Sequence, residues 1–396
     1  MAEAKTLNVA LIGQAFMGRA HSNAWSQVSK FFKVPLRPVL HTVCARNARA
    51  LAAFARQWGW RNHTTDWKRM MTCRQIDLVD IAAPNNMHLP MARAALAAGK
   101  AVACEKPLAG TLADARRMLA LAGKAGARTF VWYNYRRCPA VALGHQLVRK
   151  GKVGQIRHVR AWYLQDWADE SVPLAWRFDK KTAGSGAHGD LNAHIIDMIR
   201  FVTGQEITEV SGAISHTFIK ERRLLTGSAA GGIAAGIRGA KKTGRITVDD
   251  TMLFLARFSG GAVGSFEAAR QATGNQNRNG FEINGTNGSF RFNFERMNEL
   301  EYYDATAERA VRGWTTIMCT HGGDHPYAEA WWPDAHIIGY EHGFVNMAYD
   351  IVRVLAGKKP IVAMPDFADA YRTQRVLEAA LISARQKRPV RLSMVK

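Results

Sequence analysis

The chain has 396 residues, 47% of them hydrophobic, and carries 54 Lys and Arg against 32 Asp and Glu, a formal charge of +22. No apolar run reaches the ~18 residues of a membrane-spanning helix, so the sequence is that of a globular chain long enough for two cores and membrane is not expected as a partner. The positives are scattered in short clusters such as Arg222-Arg223 and Lys241-Lys242, with no basic helix or stacking motif, so a solvated basic surface is expected and nucleic-acid binding is not.

Leu7 to Ile12 reads as a short apolar strand. It runs directly into Gly13-Gln14-Ala15-Phe16-Met17-Gly18 and a helical stretch from about Met17 to Ser29. Strand, glycine turn and helix in that order is the context in which a helix amino end receives a pyrophosphate. Ala15 stands at the middle glycine position and narrows the room for backbone approach. The alternation continues with strands at Val39 to Ala45, Leu78 to Ala82 and Ala101 to Cys104, and helices at Asn47 to Trp58, Met87 to Ala98 and Thr111 to Lys124. Strands apolar throughout and separated by amphipathic helices predict an α/β chain that starts with a doubly wound parallel sheet, a Rossmann domain over residues 1–132. The second strand ends Cys44-Ala45-Arg46-Asn47, without the carboxylate that would bind a ribose 2′-hydroxyl. Arg46 could stack on adenine or meet a 2′-phosphate, and Asn47 could bond a hydroxyl, which leaves both NAD and NADP open.

Glu105-Lys106-Pro107 follows the Ala101 to Cys104 strand and puts a lysine at its carboxyl end, where open parallel sheets bind ligands. Further on, Asp190, His194 and Asp197 share one face of an apolar helix pattern carried by Leu191, Ile195, Ile196, Ile199 and Val202. A core histidine, a metal site drawing on His188, Asp190, His194 and Asp197, and a catalytic pair all fit that pattern. Glu221 to Arg245 is rich in glycine and alanine without a period and reads as a mobile excursion. From Pro365 onward, an acidic start and apolar residues at Ala370, Val376, Leu377, Ala380 and Leu381 predict a final amphipathic helix.

Together, Gly13-x-x-x-x-Gly18, Ala83-Pro84-Asn85-Asn86-Met87-His88, Glu105-Lys106-Pro107 and Gly189-Asp190-Leu191-Asn192-Ala193-His194-Ile195-Ile196-Asp197 resemble the Gfo/Idh/MocA oxidoreductases. The resemblance runs from about Asn8 to the helix near Ile382. Phe16 to Ser22, Asn134 to Ala140, Tyr163 to Trp167 and Ala330 to Pro333 are most similar to the levoglucosan dehydrogenase branch. Asn192 and Ala193 depart from the small residues, glycine included, of much of the family. The resemblance implies a second, α+β domain over residues 133–396 with a large, open, mostly antiparallel sheet, and runs such as Ile156 to Gln165, Ile207 to Ile219, Arg245 to Phe258, Ala262 to Ala269, Phe281 to Asn284 and Gly288 to Asn293 can supply its strands. It also implies a homodimer or homotetramer through the free sheet face.

The same resemblance implies oxidation of a ring hydroxyl of a sugar, anhydrosugar, glycoside or cyclitol by hydride transfer to a nicotinamide cofactor, with NAD preferred over NADP. It assigns catalysis to Lys106, Asp190 and His194 and needs no metal. Gly13, Ala15, Phe16, Met17, Gly18, Arg46, Asn47, Ala83, Pro84, Asn85, His88, Glu105 and Lys106 are the expected cofactor contacts. Tyr135, Arg136, Gln165, Trp167 and Trp176 are expected to hold substrate beside Lys106, Asp190 and His194. Alcohol oxidation removes a hydride from carbon and a proton from oxygen: His194 is the candidate base, Lys106 the donor to the same oxygen, and Asp190 orients them. Two alternatives remain at this level. One is a glycoside-processing enzyme that oxidises transiently with tightly held NAD, and the other is a non-catalytic sugar or nucleic-acid binding protein. The five cysteines form no C-x-x-C and are odd in number, which suits reduced thiols, and Met1 to Lys5 leads into the first strand too soon for a signal peptide, so a cytoplasmic location is expected.

Overall fold

A computed structural model of the protein describes residues 5–225 and 239–396, which divide into two units, each with its own core. The first comprises residues through Asn134 and Gly339–Tyr371. Its chain runs Thr6–Ile12 (β1), Phe16–Phe31 (α1), Arg37–Cys44 (β2), Ala48–Trp58 (α2), Asn62–Thr64 (β3), Trp67–Thr72 (α3), Leu78–Ile81 (β4), His88–Ala97 (α4), Ala101–Cys104 (β5), Leu112–Ala125 (α5) and Thr129–Val131 (β6). The strands pair in parallel in the order β3-β2-β1-β4-β5-β6. Both faces are covered, since consecutive residues such as Val9, Ala10 and Leu11 are fully buried. Strand order reverses between β1 and β4, and at such a switch point the loops after the two strands part and leave a crevice. Helix ends follow local chemistry. Asn47 caps α2 by accepting from the Ala50 N–H, Thr111 caps α5 by accepting from Asp114 N–H, and Gly59 and Gly126 close these helices with left-handed backbone.

The second unit holds Pro139–Arg149 (α6), Ile156–Leu164 (β7), Lys180–Ala183 (α7), a π turn at His188–Asn192 that continues into Ala193–Thr203 (α8), Ile207–His216 (β8), Glu221–Leu225 (β9), Gly239–Arg245 (β10), Thr251–Phe258 (β11), Val263–Ala269 (β12), Arg278–Gly285 (β13), Gly288–Asn293 (β14), Glu299–Asp304 (β15) and Trp314–Met318 (β16). Tyr340–Leu355 (α9) returns to the first unit, where it packs on α1 with the Phe32 and Tyr349 rings stacked 4.3 Å apart. Phe367–Gln386 (α10) and Val390–Arg391 (β17) complete the chain. The expected boundary at 132/133 therefore describes only the first crossing of the chain. A nine-stranded mixed sheet, β16-β15-β14-β13-β7-β12-β11-β8-β17, forms the second unit's frame, and only β7 and β12 pair in parallel. In β11, Met252, Phe254, Ala256 and Phe258 are buried while Leu253 and Leu255 point outward, the alternation of a sheet packed on one face. Helices α6 and α8 contact the sheet through β7, β13, β14 and β15.

Two sequence expectations change, and one strand went unread. The excursion at Glu221 to Arg245 is instead bounded by two strands, since β9 and β10 form an antiparallel ribbon; residues 226–238 lie outside the described residues. The strand expected from Arg245 starts at Thr251, because the preceding carboxylates are turned to loop backbone. Asp249 accepts the Gly186 and His188 N–H groups at 2.7 Å each, and Asp250 accepts those of Phe218 and Ile219. The short polar edge strand β3 had no apolar signature.

Candidate active site

In the first unit the glycine turn is fixed by close packing. Gly13 has φ of +133°, and a Cβ there would lie 2.4 Å from the Ala82 carbonyl oxygen; one on Gly18 would lie 2.3 Å from the Gly13 carbonyl oxygen. Only glycine satisfies both positions. Ala15 is extended and tolerated, at the cap position before Phe16 and Met17 open α1. With no acidic residue in its first turn, this helix end suits a dinucleotide pyrophosphate. Arg46 and Asn47 are exposed just past β2, with the Asn47 Oδ1 committed to the α2 cap. Sequence reading missed Asp66, two residues beyond Thr64, the β3 partner of Cys44. Burial, helped by the Asp66 charge, pushes the Cys44 thiol up to about 11.

Ala83, Pro84 and Asn85 follow β4 and are half-buried, while Glu105 and Lys106 follow β5, with a cis peptide between Lys106 and Pro107. His88 requires a correction. It was expected to line the nicotinamide side, but it is fully buried, its Nε2 lying 3.0 Å from the Ala83 carbonyl oxygen and its Nδ1 3.2 Å from those of Pro107 and Leu108. It ties the two loops together from behind. Burial lowers its pKa, against the opposing pull of these carbonyls.

In the second unit the residues expected around the substrate form a connected array. The Tyr135 ring packs 4.4 Å from that of His194, and its hydroxyl is 3.0 Å from the Tyr163 hydroxyl. Tyr163 donates to Asn277 Oδ1 at 2.9 Å, Gln165 Nε2 donates to the same oxygen at 2.8 Å, and Trp167 Nε1 donates to Gln165 Oε1 at 2.8 Å. Arg270 lies over the Trp167 ring and pairs with Asp190 at 2.7 Å. Burial, joined by the Asp190 charge, raises the Tyr163 pKa, so its phenol stays protonated and donates. Trp176 is half-buried beneath the Arg177 guanidinium. Asn277 and Arg270 were not legible in the sequence: each sits in or beside a loop, and pairing of β7, β11, β12 and β13 brings them to the array.

Two further expectations change here. Arg136 is buried in a bidentate ion pair with Asp197, Nε to Oδ2 at 2.8 Å and Nη2 to Oδ1, with its guanidinium over Phe201. This binds α8 to the segment before α6 rather than presenting an open guanidinium to substrate. Three of the four residues of the metal reading hold separate partners. His188 Nε2 is 2.8 Å from the Leu377 carbonyl oxygen and its Nδ1 is 3.0 Å from Asn192, Asp190 holds Arg270, and Asp197 holds Arg136.

Residues 7–133 match the family described as "Oxidoreductase family, NAD-binding Rossmann fold", and residues 142–291 match the "GFO/IDH/MocA C-terminal domain". The chain is 41% identical over 384 residues to levoglucosan dehydrogenase of Pseudarthrobacter phenanthrenivorans, covering 96% of each protein. An oxidoreductase domain protein from Kribbella flavida has a crystal structure similar to this one with a TM-score of 0.90 and 46% identity, covering 98% of this chain and 99% of that one. The structure of levoglucosan dehydrogenase in complex with NADH and levoglucosan is similar with a TM-score of 0.89 and 40% identity, covering 98% of this chain and 100% of that one. A glycine cradle that a Cβ would fill, a doubly wound sheet and a second unit with a large mixed sheet thus recur together, and the chain belongs to the Gfo/Idh/MocA family of oxidoreductases.

Proposed function

We propose that this oxidoreductase removes hydride and proton from a ring hydroxyl of a sugar, with anhydrosugars such as levoglucosan as the first candidates and cyclitols next. The observation that carries this reading is the array from His194 through Tyr135, Tyr163, Asn277 and Gln165 to Trp167. Aromatic faces cover the C–H surface of a sugar, and amides and hydroxyls answer its oxygens. Similarity to levoglucosan dehydrogenase supports the same substrate class.

Bound nicotinamide supplies the hydride acceptor. Gly13, Ala15, Phe16, Met17 and Gly18 would hold its pyrophosphate, with Ala83, Pro84, Asn85, Glu105 and Lys106 on the nicotinamide side. In this reading Lys106 donates a hydrogen bond to the reacting oxygen and stabilises its developing negative charge. His194 takes the proton, and Asp190, kept in place by Arg270, orients the site. Gln165, Trp167, Trp176 and Tyr135 hold the sugar, joined by Asn277. We read NAD as the cofactor, because the Asp66 carboxylate beside the end of β2 disfavours a 2′-phosphate. Homo-oligomer formation belongs to the same proposal. Ile214, Leu253, Leu255 and Val263 are exposed on one outward face of β8, β11 and β12, an apolar patch that a second copy can cover. Among the described residues no helix is long and apolar enough to cross a membrane. A panel of anhydrosugars, free sugars and cyclitols, each offered with NAD and with NADP, tests the function. Reduction of NAD by at least one of them, faster than NADP, is expected, and no reduction of either cofactor by any would overturn the reading.

A further inference from the structure

Around Glu105 lies a set of charged groups closed off from water, and two of them, His21 and Asp80, have no part in the reaction just described. His21, on α1, and Asp80, on β4, are both fully buried, and Glu105 is nearly so. The His21 Nδ1 lies 3.1 and 3.0 Å from the two Asp80 oxygens, and its Nε2 lies 2.9 Å from Glu105 Oε1. Asp80 is further held by indole donors, Trp25 Nε1 at 2.7 Å and Trp132 Nε1 at 2.8 Å. The second Glu105 oxygen accepts the Lys106 backbone N–H at 3.1 Å. The rings of Trp132 and Phe344 lie 4.3 and 5.8 Å from the imidazole.

A neutral imidazole has one N–H and can serve one carboxylate; its other nitrogen would then turn a lone pair on an anionic oxygen. Two buried carboxylates, one at each ring nitrogen, require both protons. We propose that His21 is held as an imidazolium and acts as a positioning residue for the reaction, fixing the Glu105 carboxylate and, through its bond to the Lys106 N–H, the backbone that presents the lysine. This rests on the reading in which Lys106 acts on the reacting oxygen.

The groups that face His21 set its pH response. Asp80 faces it from β4 and Glu105 from the end of β5; Trp25, Trp132 and Phe344, from α1, the end of β6 and α9, bring no charge. The neighbouring Cys104 thiol is pushed well up by burial and by the same two carboxylates, so it stays neutral. Burial opposes the His21 charge, but the two carboxylates outweigh it and raise the pKa from 6.5 to about 9. The proton is therefore retained through neutral pH and lost as pH rises through about 9.

Imidazole 15N NMR of the intact protein, with His21 assigned by difference against His21→Gln, tests the charge. A doubly protonated ring at neutral pH that titrates near 9 is expected, and a neutral ring at neutral pH overturns the proposal. Kinetics test the positioning role. His21→Gln, which keeps one N–H donor and loses the charge, should lower kcat about tenfold or more with the KM for sugar little changed, and should abolish the alkaline fall in kcat. Wild-type kcat with the same alkaline limb in that variant overturns the proposal. Should the variant fail to fold, the wild-type alkaline limb in kcat must coincide with the His21 titration, and a limb at a different pH contradicts the proposal. A fully active Lys106→Ala variant alongside a His21 that titrates as expected would instead place the failure in the reading of Lys106.

Discussion

Gly13 shows how far a single residue can be read without a fold. Its spacing from Gly18 after an apolar strand is visible in the sequence, whereas its reason is three-dimensional, the Ala82 carbonyl oxygen 2.4 Å from where a Cβ would sit. Gly13→Ala adds that Cβ at a φ of +133°, a strain of about 1–3 kcal/mol in the turn itself. Calorimetric titration should show the dissociation constant for NAD raised about tenfold, matching that strain, and unchanged affinity would contradict the role given to the turn. Lys106 was equally legible, since an apolar strand points to the end where it sits. Asn277 was not: nothing in Asn275-Gln276-Asn277 marks a ligand, and only the pairing of β13 with β7 carries it to Tyr163 and Gln165. Arg136, expected from the resemblance to hold substrate, answers Asp197.

At the scale of elements, apolar parallel strands announced themselves and polar edges did not. β3, β15 and β16 are edge or near-edge strands, rich in polar residues, whose formation depends on a neighbour already in place. The β9–β10 ribbon is the strongest case. Arg222, buried in β9 beneath the Phe178 ring, donates to the carbonyl oxygens of Ala168, Asp169 and Val172. It thereby clamps the loop that follows β7, which carries Gln165 and Trp167. Burial lowers its pKa, and the Asp250 and Asp169 charges work against that shift. Arg222→Gln leaves these carbonyls short of donors, a loss of about 1–3 kcal/mol in stability. Steady-state kinetics should show a raised KM for sugar with the KM for NAD unchanged. A variant altered in stability alone would make the ribbon a purely structural brace.

Over the whole molecule, the alternation of strands and helices in the first unit was readable, but the return of Gly339–Tyr371 to that unit was not. The pattern of α9 says that one of its faces is buried and is silent on which sheet it covers. The +22 charge likewise speaks to surface and partners rather than to fold. Under the proposed function Lys106, Asp190 and His194 carry the chemistry and none belongs to the glycine turn Gly13 to Gly18, so each can be replaced without touching that turn. The most direct measurement is rapid-mixing hydride transfer, read as nicotinamide absorbance, in Lys106→Ala and His194→Ala beside a titration of NAD binding to each. Hydride transfer at saturating NAD should fall by about 10² or more in both, the worth of a positioned acid or base, with NAD affinity close to wild type in His194→Ala. Wild-type rates in His194→Ala, or a loss accounted for entirely by weaker NAD binding, would contradict the account.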